Sequence, residues 1–230
     1  KLGTSVEKSF LIKGTAFIMV LIPPGKFWMG KPRLTIEYHR VIVSKPFYIG
    51  KTEVMQAQWQ AIMGNNPSDF KGENLPVEEI SWCDAQSFCQ KIGMRLPTEA
   101  EWEYTCRGGT VATFNLGDTI TPEQVNYNGH FPWKEGSKGI YRNRTVPVGS
   151  LPNANSWECY DFHGNVGEWV QDWNYNYPIG DDVVDPSGPP NGAERIIRGG
   201  SWNEPARICI SANSYSDVHL ASRSTYGLRV

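Results

Sequence analysis

The sequence has no apolar run long enough to cross a membrane. Its longest, Thr15 to Ile22, is a strand's length and stops at Pro23-Pro24, whereas a spanning helix needs roughly 20 apolar residues. Basic charge is scarce as well. The 22 Lys and Arg are offset by 24 Asp and Glu, for a formal charge of −2, and no Lys/Arg stripe is interleaved with aromatics, which speaks against nucleic-acid binding. The five cysteines (Cys83, Cys89, Cys106, Cys159, Cys209) form no CxxC pair and match no zinc template. Cys83 and Cys89 are six apart in a helical stretch and point to different faces, so buried free thiols are expected. No linker, composition break or internal repeat divides the chain, which suits one domain. The chain opens KLGTSVEKSF without an initiator Met or signal peptide; an export signal or lipid anchor is expected in a missing start.

Gly, Pro and Trp are plentiful, at 23, 16 and 9. They imply many turns and few long regular elements, pinned by large aromatic plugs. Residues 15–30 read as a hairpin, two strands about the Pro23-Pro-Gly-Lys26 turn. Val41 to Tyr48 reads as one further strand, and Thr52 to Met63 carries helical spacing up to Gly64. Ser81-Trp-Cys-Asp84 and Thr98-Glu-Ala-Glu101 are capping boxes. They open helices that run to Ile92 before Gly93 and to Cys106 before Gly108-Gly109. Beyond Thr110 no helix is expected. Thr145 to Val148 is strand-like, residues 174–194 form an Asp/Pro/Gly loop, and Asp161 to Trp169 is a tight turn feeding a strand over Glu168–Trp173. From Arg198 to Arg229 the chain is polar, aromatic and irregular, yet Trp202, Cys209, Tyr215 and Tyr226 argue against disorder. Such a stretch in a compact domain usually carries function.

Several blocks in fixed order carry a resemblance. They are Phe47-Tyr-Ile-Gly-Lys-Thr-Glu-Val54, Arg95-Leu-Pro-Thr-Glu-Ala-Glu-Trp-Glu-Tyr104, Arg107-Gly-Gly109, Pro147-Val-Gly-Ser150, Gly164-Asn-Val-Gly-Glu-Trp169, Arg198-Gly-Gly-Ser-Trp202 and Gly227-Leu-Arg229. Over residues 15–230 the chain resembles the formylglycine-generating enzyme, or sulfatase-modifying-factor, domain family. The resemblance implies an α+β, C-type-lectin-like fold: short helices on twisted antiparallel strands with much irregular loop. Residues 1–14 are expected as an N-terminal extension. The domain of 15–230 would carry a variable segment at 198–229.

Oxidase members of that family hold copper(I) between two cysteines. The matching positions here are Glu204 and Cys209, and a carboxylate is a poor ligand for so soft an ion; an oxidase using Cys209 is the alternative reading. Iron-dependent sulfoxide synthases take iron from a His-rich helical domain, for which His39, His130, His163 and His219 are no substitute. The C-terminal run instead resembles the variable region of C-type-lectin-fold proteins diversified by retroelements. That branch implies a non-enzymatic, receptor- or adhesin-like protein with no required cofactor. It would be displayed outside the cell on a lipid anchor and bind a protein on another surface. The expected recognition residues are Asn203, Glu204, Pro205, Ile208, Ile210, Asn213, Tyr215, Ser216, Asp217, Val218, Ser222, Ser224, Thr225 and Tyr226. Tyr215 and Tyr226 would be rigid aromatic anchors among small polar contacts. Asp161 and Glu168 resemble a calcium-binding turn, against which stands a structural role in which Asp161 caps the turn and Glu168 pairs with a buried Arg. Glu101 and Arg95 are expected to be structural, Trp82, Trp102, Trp169 and Trp202 core plugs, and Arg198 and Arg229 framework residues.

Overall fold

The computed structural model describes residues 6–31, 38–175 and 182–230. Both capping boxes form. In α2 (Trp82–Ile92) the Ser81 hydroxyl accepts from the Asp84 N–H at 3.1 Å while the Asp84 carboxylate accepts from the Ser81 N–H at 3.0 Å. In α3 (Glu99–Arg107), Thr98 and Glu101 repeat the exchange at 3.1 and 2.8 Å. These bonds satisfy N–H groups that a helix start otherwise leaves open. Arg95 grips the same Glu101 through two bonds of 2.6 Å, so this acid is structural. The third helix, α1 (Gln56–Met63), starts four residues later than its apolar spacing suggests.

The strands fall into three small sheets. β1 (Val6–Ile12), β2 (Thr15–Ile22) and β5 (Phe47–Gly50) form one, in the order β1-β2-β5. β3 (Gly25–Met29), β4 (His39–Val43) and β7 (Val183–Val184) form the second. The third has the order β10-β6-β8-β9, with β6 at Gly167–Trp173, β8 at Glu194–Arg198, β9 at Ser214–Val218 and β10 at Tyr226–Leu228. Most pairs are antiparallel, but β4–β7 and β6–β10 are parallel.

Five expectations change. The hairpin over 15–30 does not exist, because β2 and β3 belong to different sheets. Proline cannot donate to a ladder, and Pro23-Pro24 carry the chain from one sheet to the next. The hairpin partner of β2 is β1, in register from Val6↔Leu21 to Ile12↔Thr15. The boundary at 14/15 therefore falls beside the turn of this hairpin, and residues 6–12 are a sheet strand, not an extension; residues 1–5 lie outside the described set. The stretch Val41–Tyr48 is two strands in two sheets, broken at Pro46. Thr145–Val148 joins no sheet, and its last residue lies in a turn. The loop 174–194 contains β7, and residues 176–181 of it lie outside the described residues.

Trp59, Trp102 and Trp169 are fully buried and Trp202 nearly so. Trp59 of α1 stacks on Phe88 of α2, and Trp102 of α3 meets Phe162 in the loop before β6 edge-on. Trp82 is only half-buried, with the Arg195 guanidinium 3.6 Å from its ring centroid and 3.4 Å from that of Trp173. All five cysteines are free; Cys83 is half-buried and the other four are buried. Burial pushes the thiols of Cys89, Cys106 and Cys159 up to about 12 and that of Cys209 further. Since the thiolate is the nucleophile, a brief pulse of iodoacetamide on folded protein should label Cys83 alone. Peptide mass mapping checks this, and equal labelling of Cys209 would contradict the burial.

Candidate functional site

β8 delivers the apolar pair Ile196-Ile197 into the core and then reaches Gly199 and Gly200, whose φ values are +95° and +72°. A Cβ at Gly200 would sit 2.7 Å from the Cys209 Sγ, so only glycine lets the chain fold back on itself here. From this elbow the segment 201–226 crosses the protein, held at its backbone by groups outside it. Trp202 N–H donates to the Asn165 carbonyl at 2.9 Å, and its indole N–H to the Ser224 carbonyl at 2.9 Å, clamping the two ends of the segment together. The Asn128 N–H donates to the Glu204 carbonyl, and the Ala206 and Ser211 N–H groups donate to the Phe131 and Thr113 carbonyls, at 2.9–3.1 Å.

Two buried side chains grip it from below. Arg198 donates to the Asn213 and Ser211 carbonyls at 2.8 and 2.9 Å and is itself ion-paired with Glu103. His163 donates from Nδ1 to the Cys209 carbonyl at 2.7 Å, and its Nε2 accepts from the Asn115 N–H at 3.0 Å. That arrangement needs a neutral ring, and burial holds the imidazole down to about 4. Arg229 closes the frame through Glu168, at 2.7 and 3.0 Å. Arg198 and Arg229 are thus framework residues, as expected.

The side chains between these anchors divide sharply. Asn203, Val218 and Ser222 are exposed. Glu204, Pro205, Ile208, Asn213, Ser216, Asp217 and Ser224 are half-buried. Ile210, Thr225 and Tyr226 are buried, and their assignment to the recognition face is corrected. Tyr226 packs edge-on to Trp169, and its hydroxyl bonds Asp217 at 3.0 Å; Ile210 belongs to the cluster of Phe114, Val125 and Tyr127. Tyr215 is half-buried but its hydroxyl is enclosed, over Gly167 where a Cβ would lie 2.1 Å from it. The two tyrosines anchor the frame rather than a ligand. Aromatic content within an irregular stretch fits either role, and strands β9 and β10, which decide which side faces inward, have no visible period in the sequence.

Sequence reasoning misses four exposed residues: Arg207, Ser214, Leu220 and Arg223. Leu220, 69% exposed in the turn after β9, and Val218, 50% exposed at the end of that edge strand, are large apolar side chains left in solvent. An apolar residue between polar neighbours gives no sequence signal of exposure.

The calcium turn is corrected too. Asp161 Oδ1 accepts from Asn153 Nδ2 at 2.9 Å and Oδ2 from the Gly149 N–H at 2.5 Å. Both Glu168 oxygens accept from Arg229, and one also from the Trp102 indole at 2.7 Å. All four carboxylate oxygens already have protein donors, one of them a paired guanidinium, so these residues do not fit a cation site. Cys209 is fully buried with its Sγ turned to the Pro205 carbonyl at 3.8 Å. Burial also raises Glu204, against hydrogen bonds from Ser201.

An α+β frame of short helices and small sheets presenting an irregular C-terminal segment is a C-type-lectin-like domain. Residues 12–230 match the family described as sulfatase-modifying factor enzyme 1-like domain, and the chain belongs to that family. It is 34% identical over 169 residues to the formylglycine-generating enzyme of Mus musculus, covering 71% of this chain and 44% of that enzyme, so the chain spans less than half the enzyme's length. Similarity to the chaperone protein LppX of Paenibacillus barcinonensis is 32% over 80% of this chain and 78% of that protein. Among solved structures, Treponema denticola variable protein 1 superposes with a TM-score of 0.85 at 27% identity, over 98% of each chain. PvdO from Pseudomonas aeruginosa does so at 0.75 and 25%, over 93% of each.

Proposed function

We propose that the protein is a ligand-binding module whose recognition face is the outer side of residues 203–224. The carrying observation is the division of labour along this segment. Its backbone is fixed by Trp202, His163 and Arg198, while Asn203, Arg207, Ser214, Val218, Leu220 and Ser222 project into solvent. A surface whose side chains do not hold its own backbone can change composition without unfolding. Mixed apolar, polar and charged groups on a broad face suit a protein ligand better than a deep small-molecule pocket does. The likeness to a protein described as variable supports this reading, and display at a cell surface on a lipid anchor belongs to the same proposal.

The alternative is oxidase chemistry, favoured by the identity to formylglycine-generating enzymes. It asks for two soft ligands for copper(I), and the pair of positions holds Cys209 and the carboxylate of Glu204. The test is a library with the six exposed positions randomised together. Most members should stay folded and melt within about 5 °C of the parent, since exposed substitutions each cost within roughly ±0.5 kcal/mol. Selection against a model protein such as hen lysozyme should yield binders. A control library at Ile210, Thr225 and Tyr226 should mostly fail to fold. General collapse of the first library would refute the recognition face. Copper(I)-dependent turnover of a thiol peptide, lost in Cys209→Ala, would establish the enzyme instead.

A further inference from the structure

A cluster of acids lies apart from the turn discussed above. Asp69, Glu78 and Glu79 each bring one carboxylate oxygen within 4.8 Å of the other two. Among the described residues none of the three is ion-paired, so three negative charges face one another without a cation from the protein. Exposed acids often cluster so, at little cost. Glu78 is different, because it is fully buried. Its Oε1 accepts from the Phe70 N–H at 2.8 Å, which accounts for half of the carboxylate as a brace for the loop before it. Its Oε2 is enclosed and has no hydrogen-bond partner among the described residues. An enclosed carboxylate oxygen without a donor is costly, and bracing the loop does not require it.

The backbone explains how the three groups meet. The Ser68 hydroxyl accepts from the Glu78 N–H at 3.1 Å, holding the Asp69 loop against residue 78. In extended chain, successive side chains point to opposite faces. Glu79 breaks that alternation with a φ of +58°, an uncommon value for a residue with a Cβ. Adjacent glutamates can therefore share one side.

We infer that Asp69, Glu78 and Glu79 form a binding site for a hard divalent cation of the calcium class. Oxygen-only donors, three charges and an irregular loop suit calcium, which accepts flexible geometry, better than magnesium, which demands a near-ideal octahedron and dehydrates reluctantly. A bound cation would give the enclosed Glu78 Oε2 the partner it lacks. The site also touches the C-terminal segment, since the Glu79 N–H donates to the Arg223 carbonyl at 3.0 Å. A bound ion would brace that end of the segment, although the site stands whether or not the segment binds a ligand.

The test uses chelator-stripped protein titrated with calcium alone, by calorimetry and by thermal melting. Terbium luminescence excited through tryptophan serves as a second probe. One saturable site and a rise in melting temperature with calcium are expected, with magnesium binding at least about tenfold more weakly. Asp69 is exposed and Glu79 half-buried, so the Asp69→Asn/Glu79→Gln variant should fold with a melting temperature close to that of the chelator-stripped parent. It should lose at least about tenfold in calcium affinity and most of the terbium emission, because ligand charge sets affinity. Absence of calcium binding up to millimolar concentration, binding unchanged in the double variant, or tighter binding of magnesium would each overturn the assignment.

Discussion

Replacing Arg229 with methionine should lower stability by about 3–5 kcal/mol, the range found when one partner of a buried ion pair is removed. Arg229 is wholly buried, and its guanidinium makes two bonds to Glu168 and one each to the Gly50 and Tyr160 carbonyls, at 2.9 and 2.7 Å. It also lies 4.1 Å from the Phe162 ring centroid. One side chain near the C-terminus thereby links β5, the loop before β6, and β6 itself. Methionine fills much of the volume but leaves Glu168 charged in the interior with only the Trp102 indole as donor among the described residues. The two carbonyls lose donors as well. Adding Glu168→Gln should recover part of the loss, because the residual penalty is then an imperfect hydrogen-bond network rather than an unpaired charge. Urea unfolding of the parent, both single variants and the double variant measures the coupling. A loss below about 1 kcal/mol for Arg229→Met would mean the pair contributes no more than a surface bridge does.

How much of this is legible in the sequence follows from the range of the forces involved. The capping boxes of α2 and α3 and their glycine stops involve residues three or four apart, and each forms where its residues predict. The fold, and the framework role of Arg198 and Arg229, follow from the order of the blocks; the likeness to known structures agrees with the fold, and the buried ion pairs agree with the role. Strand pairing is less accessible. Pro23-Pro-Gly-Lys26 has the composition of a hairpin turn, yet what decides between a hairpin and a sheet change is the availability of β1 and β4 as partners, which local composition does not encode. In the segment itself, Tyr226 and Val218 look equally suitable for a binding face. Both β9 and β10 are edge strands of the sheet, and only tertiary packing, which sets Tyr226 of β10 against Trp169 and leaves Val218 of β9 in solvent, buries one and exposes the other. The acidic cluster gives no sequence signal for a related reason: Asp69 is nine residues from Glu78, and the αL turn at Glu79 that aligns the acids has no glycine to mark it.

Asp172→Asn should make the protein more stable at about pH 8 while leaving it nearly unchanged at about pH 4. Asp172 lies on β6, almost wholly buried, where its Oδ2 accepts from the Glu99 N–H at 2.8 Å and its Oδ1 has no partner among the described residues. Burial, then the Glu99 charge, push the carboxyl up to about 7. Its pKa is thus above that of the unfolded chain, so the folded state binds the proton more tightly. The group's contribution is fully present below the unfolded value, about 4, and is lost as pH rises through about 7. Asparagine keeps an acceptor for the Glu99 N–H and never ionises, so that loss disappears. A tenfold difference in proton affinity between the folded and unfolded chains is worth about 1.4 kcal/mol. With local relaxation absorbing a share, the gain at about pH 8 should be roughly 2 kcal/mol. His163 acts in the opposite sense and sets the acid limit. Its pKa, held at about 4 by burial, contributes stability present above the unfolded value near 6.5 and lost as pH falls through about 4. Denaturant melts of parent and variant between about pH 4 and pH 9 separate the two groups. The two windows overlap with opposite sign, so the parent's curve should change little between about pH 4 and 7 while the variant's stability rises with pH under His163 alone; parallel curves would show that Asp172 does not titrate in that window.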